Sequence, residues 1–318
     1  MKNYIKTNYI QTKFNCIVFA FFCSSCSTSD DAKVKTVITI REVPVVTENP
    51  VVVVNPLAPY ANISFDNWKV TLPVDENNNG SPDEYSAAQL KNFGYRTLTP
   101  IMPYMFDDTS DESIVFYTFP STSTNNSNYS RTELREMMNP SDSKINWTLN
   151  QGGTIEGKLK VVSVTPDNSS SNYDFHRVIV MQIHGIIKQS DMAIHNFTSN
   201  NGPPLLKIYW IDGHIVAHKK SLVNSSTEGN ALLSTSSSIW TDVKHDFGYV
   251  GYDAFALKIV ASTGKLEVTL NNTNTHIFQD VSLTKWPFEN YFKAGNYLIT
   301  TDANANATVK YYNLNVTH

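Results

Sequence analysis

Residues 205–219 read LLKIYWI-DG-HIVAHK, and this stretch decides the fold class. Two runs rich in β-forming residues, Leu205–Ile211 and His214–Lys219, flank Asp212-Gly213, a dipeptide that accepts the positive φ angles of a two-residue hairpin turn. The same texture continues outward. In Lys265–Leu270 (KLEVTL), Leu266, Val268 and Leu270 alternate with Lys265, Glu267 and Thr269, the period of a half-buried strand. Thr263-Gly264 turns Ala254–Ala261 back into that segment. Further strands are expected near 66–72, 113–119, 130–138, 154–164, 176–184, 291–299 and 307–316. One helix start stands out at Ser81-Pro82-Asp83-Glu84, with Ser at N-cap, Pro at N1 and Glu at N3 before Tyr85–Phe93. Many evenly spaced strands with almost no helix predict an all-β chain, a two-sheet antiparallel β-sandwich of jelly-roll type with a concave cleft.

The three cysteines, Cys16, Cys23 and Cys26, all lie in the first 26 residues. Lys2, Lys6 and Lys13 form a basic start, Cys16–Phe22 (CIVFAFF) a short apolar run, and Ser24-Ser25 a small-residue site before Cys26. Seven apolar residues are too few to span a bilayer, which takes roughly 20. The pattern resembles a lipoprotein signal over residues 1–25 with Cys26 as the lipidated residue, although Cys23 stands where such signals usually carry leucine. Residues 26–60, with prolines at 44, 50, 56 and 59, read as an extended linker, with one adventitious strand at Val34–Arg41. The folded domain is then expected over 61–318, in an exported protein held at a Gram-negative outer membrane or cell surface, or alternatively secreted after a plain cleaved signal. Removing residues 1–25 takes three lysines and no acid from a chain of net charge −4, leaving −7. Such a balance argues against a nucleic-acid partner. With no cysteine beyond Cys26, disulfides and Cys-ligated zinc are excluded from the mature domain.

Three strands carry reactive side chains at alternate positions, and residues i, i+2 and i+4 of a strand share one face. In Ser130–Met138 the row is Arg131, Glu133 and Arg135; in Val180–His184 it is Gln182 and His184; in Tyr291–Leu298 it is Tyr291, Lys293, Gly295 and Tyr297. Taken singly, each has an ordinary explanation. The first row could be a salt-bridged solvent face, the second plain sheet surface, and the third edge aromatics around a glycine bulge.

Together the three rows resemble the alginate lyases of polysaccharide lyase family seven. That family's hallmark strands read R-[ST]-E-L-R, Q-[IV]-H and Y-F-K-A-G-x-Y. Here they are Arg131–Arg135 (RTELR), Gln182–His184 (QIH) and Tyr291–Tyr297 (YFKAGNY), in that order, after an opening strand Asn67–Pro73 (NWKVTLP). One departure is Ile299, where many members place glutamine.

The resemblance implies cleavage of alginate, a 1,4-linked polyuronate, by β-elimination without metal or cofactor. The proton at C5 sits beside a carboxylate, so removing it builds a second negative charge next to the first, and a cation and an amide donor lower that barrier. By resemblance Arg131 and Gln182 neutralise the carboxylate, His184 acts as a third donor or as base, and Tyr297 transfers a proton to the C4 oxygen. Cations near Tyr297 would favour its phenolate if it served as base. Glu133, Arg135, Tyr291 and Lys293 are then substrate-binding residues, with Glu133 orienting an arginine. Ile183 in the QIH motif goes with guluronate-containing blocks, acting through packing because its parity points away from the cleft. A monomer is expected.

Other readings leave their own marks. A non-catalytic sugar-binding module would not need His184 and Tyr297 together. A glycoside hydrolase needs two opposed carboxylates, and the rows offer only Glu133. Asp75–Ser86 (DENNNGSPDEYS) matches half of a calcium loop but ends in Ser86 where glutamate is required, so a plain Asn-rich turn is expected.

Overall fold

The computed structural model describes residues 60–318, His195 excepted; the signal, Cys26, the linker and the strand expected at Val34–Arg41 lie outside the described residues. Two sheets pack face to face, and nearly all their pairings are antiparallel. One has eight strands. The other has nine and runs, from edge to edge, Trp240–Tyr249, His214–Leu222, Asn201–Ile211, Arg177–Ile186, Glu289–Ile299, Arg131–Glu136, Trp68–Thr71 and Glu84–Tyr85, with Trp147–Thr148 also pairing to Glu289–Ile299. This is the expected sandwich, and a single apolar core fills the space between the sheets.

The hairpin that decided the fold forms as read. Asn201–Ile211 pairs with His214–Leu222, and both turn residues take positive φ, 48° at Asp212 and 88° at Gly213. Leu266, Val268 and Leu270 point into the core.

The helix does not start where expected. Glu84–Tyr85 is drawn into a strand pairing with Val70 and Thr71, because Glu84 can there meet Lys69 (2.7 Å) and Thr71 (3.0 Å). The helix is Ala87–Leu90, its N-cap is Ser86, and Gln89 Oε1 accepts from the Ser86 backbone N–H and hydroxyl, both at 2.9 Å. Both segments carry an S-x-x-[EQ] box, and strand pairing selects the second one.

The sheet is interrupted beside the cleft. On Arg177–Ile186 the alternation breaks: Val178, Val180 and Met181 all face the core, while Ile179 turns outward to pack with Tyr209 and Tyr297. The registers to both neighbouring strands shift at this point, the mark of a β-bulge. Opposite it, Gly295 sits at φ 140°. A bulge leaves backbone polar groups without ladder partners, and buried ones must find others. Tyr311, fully buried and reaching across from the eight-stranded sheet, supplies them. Its hydroxyl accepts from the Gly295 N–H (3.1 Å) and donates to the Val180 carbonyl (2.5 Å).

A Cβ at Gly295 would lie 2.6 Å from the Thr132 carbonyl oxygen, on a backbone angle that side chains rarely adopt. Gly295→Ala is therefore expected to cost at least about 1–3 kcal/mol, read as a lower midpoint in denaturant unfolding; an unchanged midpoint would show that the strand relaxes freely.

Candidate active site

Arg131, Arg135, Gln182, His184, Tyr291, Lys293 and Tyr297 line one cleft of about 690 Å³ on the outer face of the nine-stranded sheet. Their strands are direct neighbours. Tyr297 pairs with Arg131, Lys293 with both Arg135 and Gln182, and Tyr291 with His184. A larger hollow of about 1090 Å³, bordered by Asp66, Glu156, Lys158, Lys258 and Asn313, contains none of them. Its size does not make it the reactive place.

Arg131 is 8% exposed and lies with its guanidinium carbon 3.8 Å from the centre of the Tyr297 ring. Its ion pair to Glu133 Oε2 is long at 3.4 Å, and its buried Nε lacks a partner among the described residues. A buried guanidinium with spare donors is poised for a planar carboxylate. Tyr297 is 7% exposed, and its hydroxyl is 2.6 Å from the hydroxyl of Ser127, in the loop before the RTELR strand. Burial pushes its phenol above the ordinary value and outweighs the opposing pull of Arg131 and Ser127. The phenolate that nearby cations would have to favour, were Tyr297 the base, is thus not the resting form, because taking the ring out of water costs more than Arg131 returns.

His184 is half-buried, stacked on Tyr291 at 5.2 Å and 14°. Its Nδ1 meets the Gly185 carbonyl at 2.9 Å, which fixes that nitrogen as the donor and leaves Nε2 with a free lone pair. Burial first, then Lys293, pushes its pKa down to about 3, so the ring is neutral at working pH.

With an unsatisfied guanidinium, a protonated phenol and a neutral imidazole facing one cleft, relatives become informative. The sequence profile of the alginate lyase family matches residues 63–318. This chain belongs to that family. An alginate lyase of Klebsiella pneumoniae is 26% identical over 312 residues, covering 82% of this chain and 91% of that protein. The crystal structure of alginate lyase A1-II', a member of polysaccharide lyase family 7, is 29% identical with a TM-score of 0.60, covering 80% of this chain and 95% of that one. A variant of the same enzyme, solved with a substrate written GGMG, also has 29% identity and a TM-score of 0.60, over 80% of this chain and 93% of that one.

Two expected roles in the lyase need correction. Glu133 was placed among the substrate-binding residues, but it is 1% exposed beneath the cleft floor. It accepts from Gln182 Nε2 and from the Lys293 ammonium, and only distantly from Arg131. It orients three donors, not only an arginine. Arg135 was expected to attract carboxylates. Its guanidinium is instead committed to the Glu136 and Ser143 carbonyls (both 2.8 Å), Asn146 Oδ1 (2.7 Å) and the Tyr291 ring, leaving little for a ligand. Gln182 holds Glu133 with one N–H and keeps a second. Tyr291, pushed up to about 12 by burial, is a neutral wall behind His184.

Ile183 is fully buried in the core, as its parity required. Ile299 packs beside Ile179, Tyr209 and Tyr297, so an apolar patch stands where a polar sugar contact was expected to be lost. Within Asp75–Ser86, Asp75 accepts from the Asn79 and Gly80 N–H groups and Asp83 from that of Glu76, while Glu84 meets Lys69 across the strand pair. The rows had missed Ser127, Lys69, Lys207 and Lys220, which also line the cleft. For Lys207 the signal was present, since it alternates with the core residues Leu206 and Ile208.

Proposed function

We propose that this lyase cleaves alginate at the Arg131–Tyr297 cleft, with His184 as base and Tyr297 as acid, and that it acts on guluronate-containing blocks. The observation that carries this is the geometry of the pair: an imidazole whose Nδ1 meets the Gly185 carbonyl, leaving Nε2 open, and a phenol lying on the Arg131 guanidinium, both lining one cleft. Arg131 and the remaining Gln182 N–H pair with the C5 carboxylate, so the charge that develops next to it meets donors already in place. His184 Nε2 takes the C5 proton. The freed electron pair becomes the C4–C5 double bond, the C4–O bond breaks, and the departing oxygen takes the Tyr297 proton. The imidazolium then loses its proton to solvent and the phenolate regains one. A pKa of about 3 makes His184 a weak base in the empty cleft. An arriving uronate carboxylate adds negative charge nearby and raises its proton affinity.

In guluronate the C5 proton and the leaving oxygen lie on opposite sides of the ring, so elimination there needs two separate groups. In mannuronate they lie on one side and a single phenolate could serve both, but burial disfavours that phenolate. The experiment is incubation with polymannuronate, polyguluronate and alternating blocks, following the ultraviolet absorbance of unsaturated ends. Faster rise on guluronate-containing blocks is expected. Faster rise on polymannuronate would discard the two-group reading, and no absorbance on any block would discard the lyase itself.

The sequence of residues 1–26 supports export and anchoring through a lipid on Cys26, with residues 26–60 as tether. Cys26→Ala should move the protein from the membrane fraction to the soluble one; retention would discard the anchor.

A further inference from the structure

The strand registers align a row of polar side chains across the cleft floor. Lys69 pairs with Arg135, Arg135 with Lys293, Lys293 with Gln182, and Gln182 with Lys207. Successive members stand one strand apart, roughly 4.8 Å, a step on the scale of one sugar in an extended 1,4-linked chain. The substrate therefore crosses the strands, and each strand places one side chain of the row beneath it.

The two ends of this row differ. At one end Lys69 is spent on Glu84 at 2.7 Å. Glu84 is exposed, and Lys69 and Thr71 hold its carboxyl below the usual range, so it stays charged and would repel a uronate. At the other end Lys207 makes no hydrogen bond or ion pair among the described residues, and Asp242 and Glu133 act on it only at a distance. Asp242 is itself engaged with Lys220 at 2.8 Å. Among the other cations of the cleft, Lys69, Lys220, Lys293 and Arg131 each have an acidic partner, and Arg135 has its three oxygen acceptors. Burial, helped by Lys220 and Arg131, lowers the Lys207 pKa to about 8, the state of a cation short of anions. An unpaired, half-buried ammonium facing a cleft is costly by itself and is relieved when an anion arrives.

We infer that Lys207 anchors the carboxylate of a uronate unit bound one strand beyond Gln182, making a subsite that only longer substrates reach and tilting the cleft so that the bound chain extends toward Lys207 and not toward Lys69. This rests on the polyuronate reading of the cleft. Lys207 takes no part in the elimination; it holds a remote sugar.

The test compares wild type, Lys207→Met and Lys207→Arg on guluronate oligosaccharides from three to eight units, measuring kcat and KM at each length and calorimetric binding of the same sugars. In Lys207→Met, KM should match wild type for the shortest cleaved oligosaccharides and rise roughly 10–100-fold above a threshold length, the size of one charge-assisted contact. Its kcat should change far less than its KM, because Lys207 reaches the reaction only as a distant charge on His184. Lys207→Arg should restore KM to within a few-fold of wild type. Equal KM values for Lys207→Met and wild type at all lengths would overturn the subsite, and so would a KM rise that is the same at every length. If wild type cut nothing, the lyase reading would fall, and the binding arm would still decide the subsite: length-dependent weakening in Lys207→Met keeps it, and unchanged binding removes it.

Discussion

Tyr297→Phe should abolish turnover while alginate still binds. The variant loses one oxygen and keeps the ring, so the stacking of the Arg131 guanidinium at 3.8 Å and the packing with Ile179 and Tyr209 survive. What disappears is the proton for the departing C4 oxygen. General acid catalysis by a positioned group contributes roughly 10²–10⁴-fold, and here no other described acid touches Tyr297 except the Ser127 hydroxyl, a far weaker donor. The measurement is kcat from the growth of unsaturated ends, beside a dissociation constant from calorimetry. A fall in kcat of at least 10²-fold with unchanged binding is expected. Activity near that of wild type would remove Tyr297 from the chemistry and leave His184 to serve as both base and acid.

Arg131→Met should lower kcat by roughly 10²–10³-fold, the usual loss when a donor aimed at developing charge is removed. The fold should tolerate this change, because Glu133 keeps Gln182 and Lys293, and its contact with Arg131 is already long at 3.4 Å. The guanidinium matters most as the second negative charge forms, so the loss should fall on kcat more than on KM. A pure rise in KM would make Arg131 a general substrate anchor that holds ground state and transition state alike.

Much of this arrangement could be read from alternation. A strand places every second residue on one face whatever surrounds it, so Arg131 with Arg135, Gln182 with His184, and Tyr291 with Lys293 and Tyr297 were each legible as rows. The hairpin at Asp212-Gly213 was legible because its turn chemistry is local. What stayed hidden depends on neighbours that lie far off in sequence. The Val180 bulge exists because Tyr311, 131 residues away, satisfies its carbonyl. The helix cap moved from Ser81 to Ser86 because Glu84 found Lys69 across a strand pair. Arg135 looked like a free cation until Ser143 and Asn146, on the following loop, claimed its donors. Ser127 sits in a polar loop where no periodicity marks one serine above another. Lys207 was passed over for a different reason: a lysine at an alternate strand position is usually solvated, and only the folded cleft shows that this one is half-buried and without a counter-ion among the described residues.

The Tyr311 hydroxyl has a consequence for anyone seeking to alter this enzyme. It ties the spacing between the acid and the amide donor to a strand that contributes no wall to the reaction chamber. Engineering confined to the visible lining would leave that tie rod alone, whereas Tyr311→Phe would slacken it from behind and detune catalysis with every chemically active side chain still present.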